Sequence, residues 1–170
     1  MVTFKNFIDY FESLAEKHTM INHKVDGKSA FFNIDLVDLL SGIKSKIQKD
    51  SYSMILVNYS SKLNQTTPGE KEIMFFIVKD QKKGDVDANV EIRSEAETIA
   101  QEIIAKIQLD CKSRTPEMNA MFRGSMDKIQ DVDIIHTELH ASAQKLIGVQ
   151  CSFTNQFNYC PTIRENIFRD

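Results

Sequence analysis

The feature that most constrains the fold is a pair of strand-like segments joined by a short polar connection. Residues 52–59 and 72–79 are rich in β-branched and aromatic side chains, a composition typical of β-strands. The polar segment between them, 60–69, ends in a Pro-Gly turn and is too short to hold a crossover helix. Parallel strands would need such a crossover, so the sequence predicts an antiparallel hairpin.

A second hairpin is predicted near the C-terminus, after one long helix. Apolar residues recur at helical spacing from about residue 89 to about residue 113, where Thr115-Pro116 ends the pattern. The apolar stripe consists of Ile92, Ala96, Ile99, Ala100, Ile103 and Ile107. Segments 132–142 and 147–158 then alternate polar and apolar residues around a short connection, as in a hairpin. Periodicity is weak over residues 117–130, which we predict to be a loop holding at most one irregular helical turn.

The N-terminal part predicts two further helices and a short strand. A first amphipathic helix begins after Thr3, which is placed to act as its N-cap, and ends near Lys17. A strand follows at 29–34, and Asp35 caps a second helix. We therefore predict a single α+β domain over residues 1–170, with 161–170 as a C-terminal tail. Its two layers would be an antiparallel sheet of two hairpins plus the short strand, packed by the N-terminal, second and long central helices.

Composition and charge exclude several classes of protein. The 170 residues carry 21 Lys and Arg against 24 Asp and Glu, a net charge of -3, so no global basic field attracts nucleic acid. Three cysteines without a C-x-x-C pair suggest neither a disulfide framework nor a zinc knuckle, and they favour a reducing compartment. The longest uninterrupted apolar run, 73–78, is far shorter than a membrane helix, and the first residues show no export signal.

Two segments begin like nucleotide or calcium sites but depart from both patterns. Gly27-Lys28-Ser29 matches the end of a phosphate-binding loop, yet Asn22 stands where the first glycine belongs and the following residues read as extended. Residues 85–89 open like a calcium loop, with Asp, Asp and Asn at alternate positions. The sixth and twelfth positions, Val90 and Ala96, should be Gly and Glu. A polar turn leading into a capped helix is the preferred interpretation.

His136, Glu138 and His140 form the strongest candidate for chemistry. On a helix they would resemble a zinc-protease motif, but Thr137 occupies the position of the required Glu. On a strand all three side chains lie on one face, which would suffice for a zinc or transition-metal site. Alternating polar residues on a solvent-exposed strand give the same pattern, and that interpretation is preferred. No catalytic, cofactor-binding or metal-binding residue is assigned.

Two other groups of residues are interpreted as structural. No histidine lies near Cys151 or Cys160 at a spacing that would activate a thiol, so both are predicted to be small core residues. A modest basic patch, which we interpret as a solvent-exposed helix end, comprises Lys28, Lys44, Lys46 and Lys49.

The order of these elements resembles that of a known class of phage proteins. It runs through residues 31–35 leading into the second helix, the 52–79 hairpin, the 85–107 loop and helix, and the Gly-containing final strand at 146–153. In this order the chain resembles phage-type tail-completion or tail-terminator (neck) proteins from phage-like elements of Bacteroidetes-type bacteria. The resemblance covers most of the chain and lies in the order of the elements and their general residue pattern.

The resemblance implies a non-enzymatic structural protein. Such a subunit would form a homo-oligomeric ring that terminates or joins the tail tube of a phage or a contractile injection apparatus. It would contact tail-tube or neck proteins, with no sequence-specific nucleic acid and no membrane, and would be cytoplasmic during assembly and part of the virion or injection device afterwards. We expect its contacts at the hairpin tip 60–69, the loop 118–126 and the tail 161–170.

Two adjacent phenylalanine pairs favour an assembly component over a solitary enzyme. Phe31/Phe32 and Phe75/Phe76 must point to opposite faces if they lie on strands. We expect the protein's own helices to cover one face and a neighbouring subunit to cover the other. The alternatives are a metal-binding or metal-dependent enzyme domain that uses His136, Glu138 and His140, and an adaptor domain with no assembly role.

Overall fold

The computed structural model describes residues 4–34, 51–62, 69–113, 128–141 and 144–157. The elements in these ranges are α1 (Phe4–Lys17), β1 (Phe31–Ile34), β2 (Ser53–Lys62), β3 (Gly69–Asp80), α2 (Val86–Ser113), β4 (Lys128–Ala141) and β5 (Gln144–Phe157). The Thr3 cap, the predicted second helix from Asp35 with Lys44, Lys46 and Lys49, and the tail 161–170 lie outside the described residues.

The described strands form one five-stranded sheet with the order β1-β2-β3-β5-β4. The β2–β3 and β4–β5 pairs are antiparallel hairpins, as predicted, and β3 and β5 join them in antiparallel register. The α+β fold class is therefore confirmed. The short strand β1 pairs with β2 in parallel, so the sheet is mixed rather than purely antiparallel.

Helices α1 and α2 pack against one face of this sheet. Phe11 of α1 contacts Phe75 of β3, with ring centroids 5.8 Å apart, and both side chains are fully buried. The six apolar residues predicted for the long helix are all buried in the same cluster. Burial of these amphipathic stripes, more than intrinsic helix propensity, stabilises the two helices.

The start of α2 has the capped geometry that the sequence predicts. Asp85 Oδ1 accepts a hydrogen bond from the backbone N–H of Ala88 at 2.9 Å, as an N-cap residue does. The side-chain amide of Asn89 bonds to the backbone of Lys82, seven residues earlier. Its Oδ1 accepts a hydrogen bond from the Lys82 N–H, and its Nδ2 donates one to the Lys82 carbonyl oxygen, both at 2.9 Å. The side chains of a possible calcium loop are thus used to begin a helix, three residues earlier than predicted.

A second apolar cluster covers the opposite face of the sheet. It contains Phe32, Ile55, Val57, Phe76, Val78, Leu139 and Leu146. The adjacent phenylalanines do point to opposite faces, because Phe31 and Phe75 belong to the helix-facing cluster. However, Phe76 is only 2% exposed and Phe32 only 9% exposed in the single chain. The chain itself buries both side chains, so their burial gives no support to a neighbouring subunit on this face.

Strand β4 begins four residues earlier than predicted. A β-bulge near its start interrupts the alternation of polar and apolar residues, so the sequence pattern did not reveal the first part of the strand. Gln130 pairs with Thr154, but the next pair is Asp133 with Ser152, so one extra residue enters β4 between them. Asp131 in this bulge has a φ of 52°, in the left-handed region. Ile129 and Ile134, an odd number of positions apart, consequently both pack against the helix-facing core.

We predict that the bulge depends on the left-handed backbone of Asp131. Asp131→Val should lower the free energy of unfolding by about 1–2 kcal/mol, because a β-branched side chain is disfavoured at positive φ. Asp131→Gly should leave the stability unchanged or slightly higher, since glycine adopts this conformation without steric cost. Urea unfolding of both variants measures the difference. Equal stability of the two variants would contradict this role of the bulge.

Within the ranges that the structure describes, neither helix is long and apolar enough to cross a membrane.

Candidate functional site

His136 and Glu138 lie on β4 and face α2, as the strand interpretation predicts. His136 is about half exposed, and its Nε2 lies 3.3 Å from Oε2 of Glu97 on α2. Glu138 Oε1 is ion-paired with the guanidinium of Arg93, one turn earlier on the same helix. These two contacts join the outermost described strand to the helix that packs on it.

Glu138 also binds the neighbouring strand. Lys145 Nζ of β5 lies 2.5 Å from its Oε2. This hydrogen bond from Lys145, reinforced by Arg93, holds the pKa of Glu138 below its ordinary value. We call the five residues that these contacts connect the α2–β4 polar cluster; they are Arg93, Glu97, His136, Glu138 and Lys145.

The α2–β4 polar cluster is better suited to ion pairing than to metal binding. A cation approaching Glu138 would have to displace a guanidinium and an ammonium that already neutralise its carboxylate. Among the described residues, no group of three or more His, Cys, Asp and Glu side chains is arranged to hold a metal ion. The side chain of His140 lies outside the described part of the chain.

The outer side of β4 forms one of the two edges of the described sheet. On its outer side β4 pairs with no described strand, and it is 14 residues long, whereas the opposite edge strand β1 has four residues. Ile135 is 55% exposed and Val132 is 37% exposed. A long edge strand with unpaired backbone groups and exposed apolar side chains is a template for adding another strand. Sequence patterning did not identify this edge, because strand order is not encoded in alternation.

The remaining motifs singled out in the sequence have structural roles where they are described. Lys28 has extended backbone and the chain continues into β1, so Gly27-Lys28-Ser29 does not lead into the helix that a phosphate loop requires. Cys151 is fully buried, and burial, together with the charge of Asp133, raises the pKa of its thiol to about 12. Cys151 is thus a small core residue, as predicted. Cys160 lies outside the described residues.

A buried histidine that the sequence analysis did not single out fixes the loop between α1 and β1. His23 Nδ1 accepts hydrogen bonds from the backbone N–H groups of Ala30 and Phe31, at 3.1 and 3.2 Å. Nδ1 therefore carries no proton, and Nε2 donates to Glu12 Oε1 at 3.2 Å. The ring joins helix, loop and strand, which is a structural rather than a catalytic arrangement.

Two buried tyrosines likewise anchor α2. Tyr10 donates a hydrogen bond to the buried carboxylate of Asp110 at 3.0 Å, and burial, followed by the charge of Asp110, raises the pKa of its hydroxyl. The Tyr52 hydroxyl lies 2.6 Å from Glu95 Oε2, and burial followed by this contact raises its pKa too. Partners so distant along the chain leave no local signal in a sequence.

We predict that Glu12 stabilises the protein in a pH-dependent way. A hydrogen bond from Lys24, with another from His23, holds the pKa of Glu12 below its ordinary value. A carboxyl whose folded-state pKa is lowered stabilises the fold above its unfolded-state pKa, and this contribution is lost as pH falls through the folded-state value. Glu12→Gln should therefore destabilise the protein at pH 7 and lose this effect near pH 3. Urea unfolding at both pH values tests this; an equal difference at both would contradict it.

The chain was compared with protein-family models and with curated proteins. No protein-family model matches this chain, and a search of curated proteins finds no match to it.

Proposed function

We propose that this protein is a non-enzymatic structural subunit of a phage tail or a related contractile injection apparatus. In this proposal it forms a homo-oligomeric ring that terminates or joins the tail tube, and it binds tail-tube or neck proteins. It is cytoplasmic during assembly and later part of the virion or device. The order of its elements, which resembles that of tail-terminator proteins, supports the tail assignment.

The observation that carries the assembly role is the outer edge of β4, on which no other described strand pairs. Folded proteins usually protect such edges with charges, bulges or covering loops, because unpaired strands associate with other chains. Here the bulge at Asp131 affects only the first part of the strand, and the regular part beyond it leaves Ile135 exposed. An edge of this kind favours a subunit whose strand is completed by a neighbour.

The surroundings of this edge also favour a structural role. The charged side chains next to it bind one another across α2, β4 and β5, and so stabilise the edge strand on the body of the protein. A catalytic site requires groups that are free to exchange protons or bind substrate. In Glu138 the carboxylate is already neutralised from both sides.

The experiment that tests the proposed function is assembly with a tail-tube protein. The purified chain, alone and mixed with the tail-tube protein encoded nearest to its gene, is examined by negative-stain microscopy and light scattering. We expect rings that bind the ends of tubes. A protein that remains monomeric at high concentration and does not bind the tubes would contradict the proposal.

Metal analysis of the purified protein tests the alternative of a metal-dependent domain. We expect no stoichiometric zinc. Stoichiometric zinc that disappears in the His136→Ala, His140→Ala double variant would replace the structural role by the metal-binding one.

A further inference from the structure

We propose that two copies of this chain pair in antiparallel register through the outer edge of β4, with Thr137 of each copy at the two-fold axis. The inference deepens the proposed function, on which it rests for the role of the assembly, by naming the surface through which copies meet. It follows from the exposure of this edge and from the order of charged and apolar residues along it.

Centring the pair on Thr137 brings a histidine and a carboxylate together. In this register each His136 lies directly opposite Glu138 of the second copy, so the pair occurs twice. Both side chains are on the helix-facing side of the sheet and partly exposed; each already has an ion-pair partner within its own chain, and the contact between copies would add to these pairs. A histidine N–H that faces a carboxylate across antiparallel strands can donate a hydrogen bond to it, whereas two carboxylates that face one another destabilise the pair.

Neighbouring registers that keep the same faces together are less favourable. A pair centred on His136 places this histidine opposite itself, and a pair centred on Glu138 places two carboxylates opposite one another. A pair centred on Ile135 places Val132 opposite Glu138, an apolar residue against a charge. Thr137 is thus the centre at which the strand complements itself.

The same register covers the exposed apolar side chain of the edge. On the sheet face away from the helices, Ile135 lies opposite Leu139 of the second copy. Ile135 is exposed, whereas Leu139 is buried at the border of the second apolar cluster. Pairing would therefore extend this cluster from one copy to the next and join two five-stranded sheets into one.

The charge balance next to the edge allows two copies to approach closely. Besides His136, the α2–β4 polar cluster of one copy contains two cations, Arg93 and Lys145, and two carboxylates, Glu97 and Glu138. The copies therefore meet without a net like-charge repulsion from this cluster. A strongly acidic or basic partner would meet no complementary net charge at this cluster, so a second copy is the occupant that this edge fits.

The pairing has a consequence for the proposed ring. A two-fold contact uses the same surface on both copies and closes on itself. If every subunit is paired in this way, the ring contains an even number of subunits, and a second kind of contact links the dimers.

Cysteine cross-linking tests the register. At the two-fold axis the β-carbons of the paired residues are about 4.5–5.5 Å apart, close to what a disulfide requires. Thr137→Cys should therefore form a covalent dimer under mild oxidation. The matched control is Asp133→Cys, on the same face of β4, whose copies would lie about 27 Å apart from the rise per residue. The parent chain, oxidised in parallel, accounts for the native cysteines.

A covalent dimer of the T137C variant, absent from the D133C variant, supports the proposal. Failure of T137C to cross-link, or faster cross-linking of H136C or E138C, would overturn the register.

A charged substitution at the edge tests the contact itself. Ile135→Lys places an ammonium opposite Leu139 of the second copy. Because Ile135 is exposed, we expect the variant to keep its fold, which circular dichroism checks. Light scattering should show the mass falling from that of a dimer to the 19.5 kDa of one chain. The control Leu109→Lys, on an exposed position of α2, should stay dimeric. A dimer that persists in I135K would overturn the proposal.

The two proposals fail separately. Rings that bind tubes without T137C cross-linking, or rings with an odd number of subunits by native mass spectrometry, would overturn the β4 pairing alone. Cross-linked dimers that form no ring and bind no tube would overturn the tail role and leave the pairing in place.

Discussion

Replacing Gly148 with alanine is expected to lower the free energy of unfolding by about 2 kcal/mol or more. Gly148 lies in β5, opposite Val78 of β3 and Thr137 of β4. A β-carbon at this position would overlap the carbonyl oxygen of Ile77 and come within 3.0 Å of the Val78 α-carbon. These are backbone atoms of a central strand, so they cannot move aside without separating β3 from β5.

Gly84 provides the matched control for this prediction. It has a φ of +81°, and nothing lies within 4 Å of the β-carbon it would gain. Gly84→Ala therefore changes the unfolded chain in the same way. In the folded state it should lower the free energy of unfolding by only about 1 kcal/mol, the cost of placing an alanine in the left-handed region of backbone conformation. Urea unfolding compares the two variants. A G148A variant as stable as G84A would show that the strands have room for a side chain here.

Truncating Phe75 to alanine is expected to lower the free energy of unfolding by about 3–5 kcal/mol. Phe75 is fully buried at the centre of β3, between Leu56 and Cys151 of the neighbouring strands, and contacts Phe11 of α1. Its removal would leave a cavity where sheet and helix meet. A rigid core closes such a cavity only in part, so contacts are lost as well as apolar burial.

A more conservative substitution of Phe75 shows how much of the loss in stability comes from the volume of side chain removed. Phe75→Leu keeps an apolar side chain of similar reach and should cost less than the alanine variant, about 1.5 kcal/mol. Thermal and urea unfolding give both values. A loss below about 1 kcal/mol in F75A would mean that α1 does not depend on this contact, and would contradict the central packing described above.

Much of the fold could be predicted because its strongest signals are local. The segment 60–69 has ten residues, most of them polar, and leaves no room for a crossover, which is enough to define the β2–β3 hairpin. The stripe from Ile92 to Ile107 is long enough to define α2 without tertiary information. Two features were not predictable in this way. Four residues of β1 carry no signal of direction, so its parallel pairing was missed, and the bulge at Asp131 shifted the alternation that marks a strand.

The candidate site was predictable only in part for the same reason. Alternation correctly placed His136 and Glu138 on one face of a strand. Their partners Arg93 and Glu97 are about 40 residues away along the chain, and only the packing of α2 on the sheet brings them together. The burial of Phe76 within one chain likewise depends on what the rest of the chain covers. The sheet edge, and not the sheet face, is therefore the surface that favours assembly.

Sedimentation equilibrium of the unmodified protein over a wide concentration range tests the central claim most directly. Association through the outer edge of β4 predicts a mass that is an even multiple of 19.5 kDa and that decreases toward this value on dilution. A mass of 19.5 kDa at every concentration would contradict an assembly subunit.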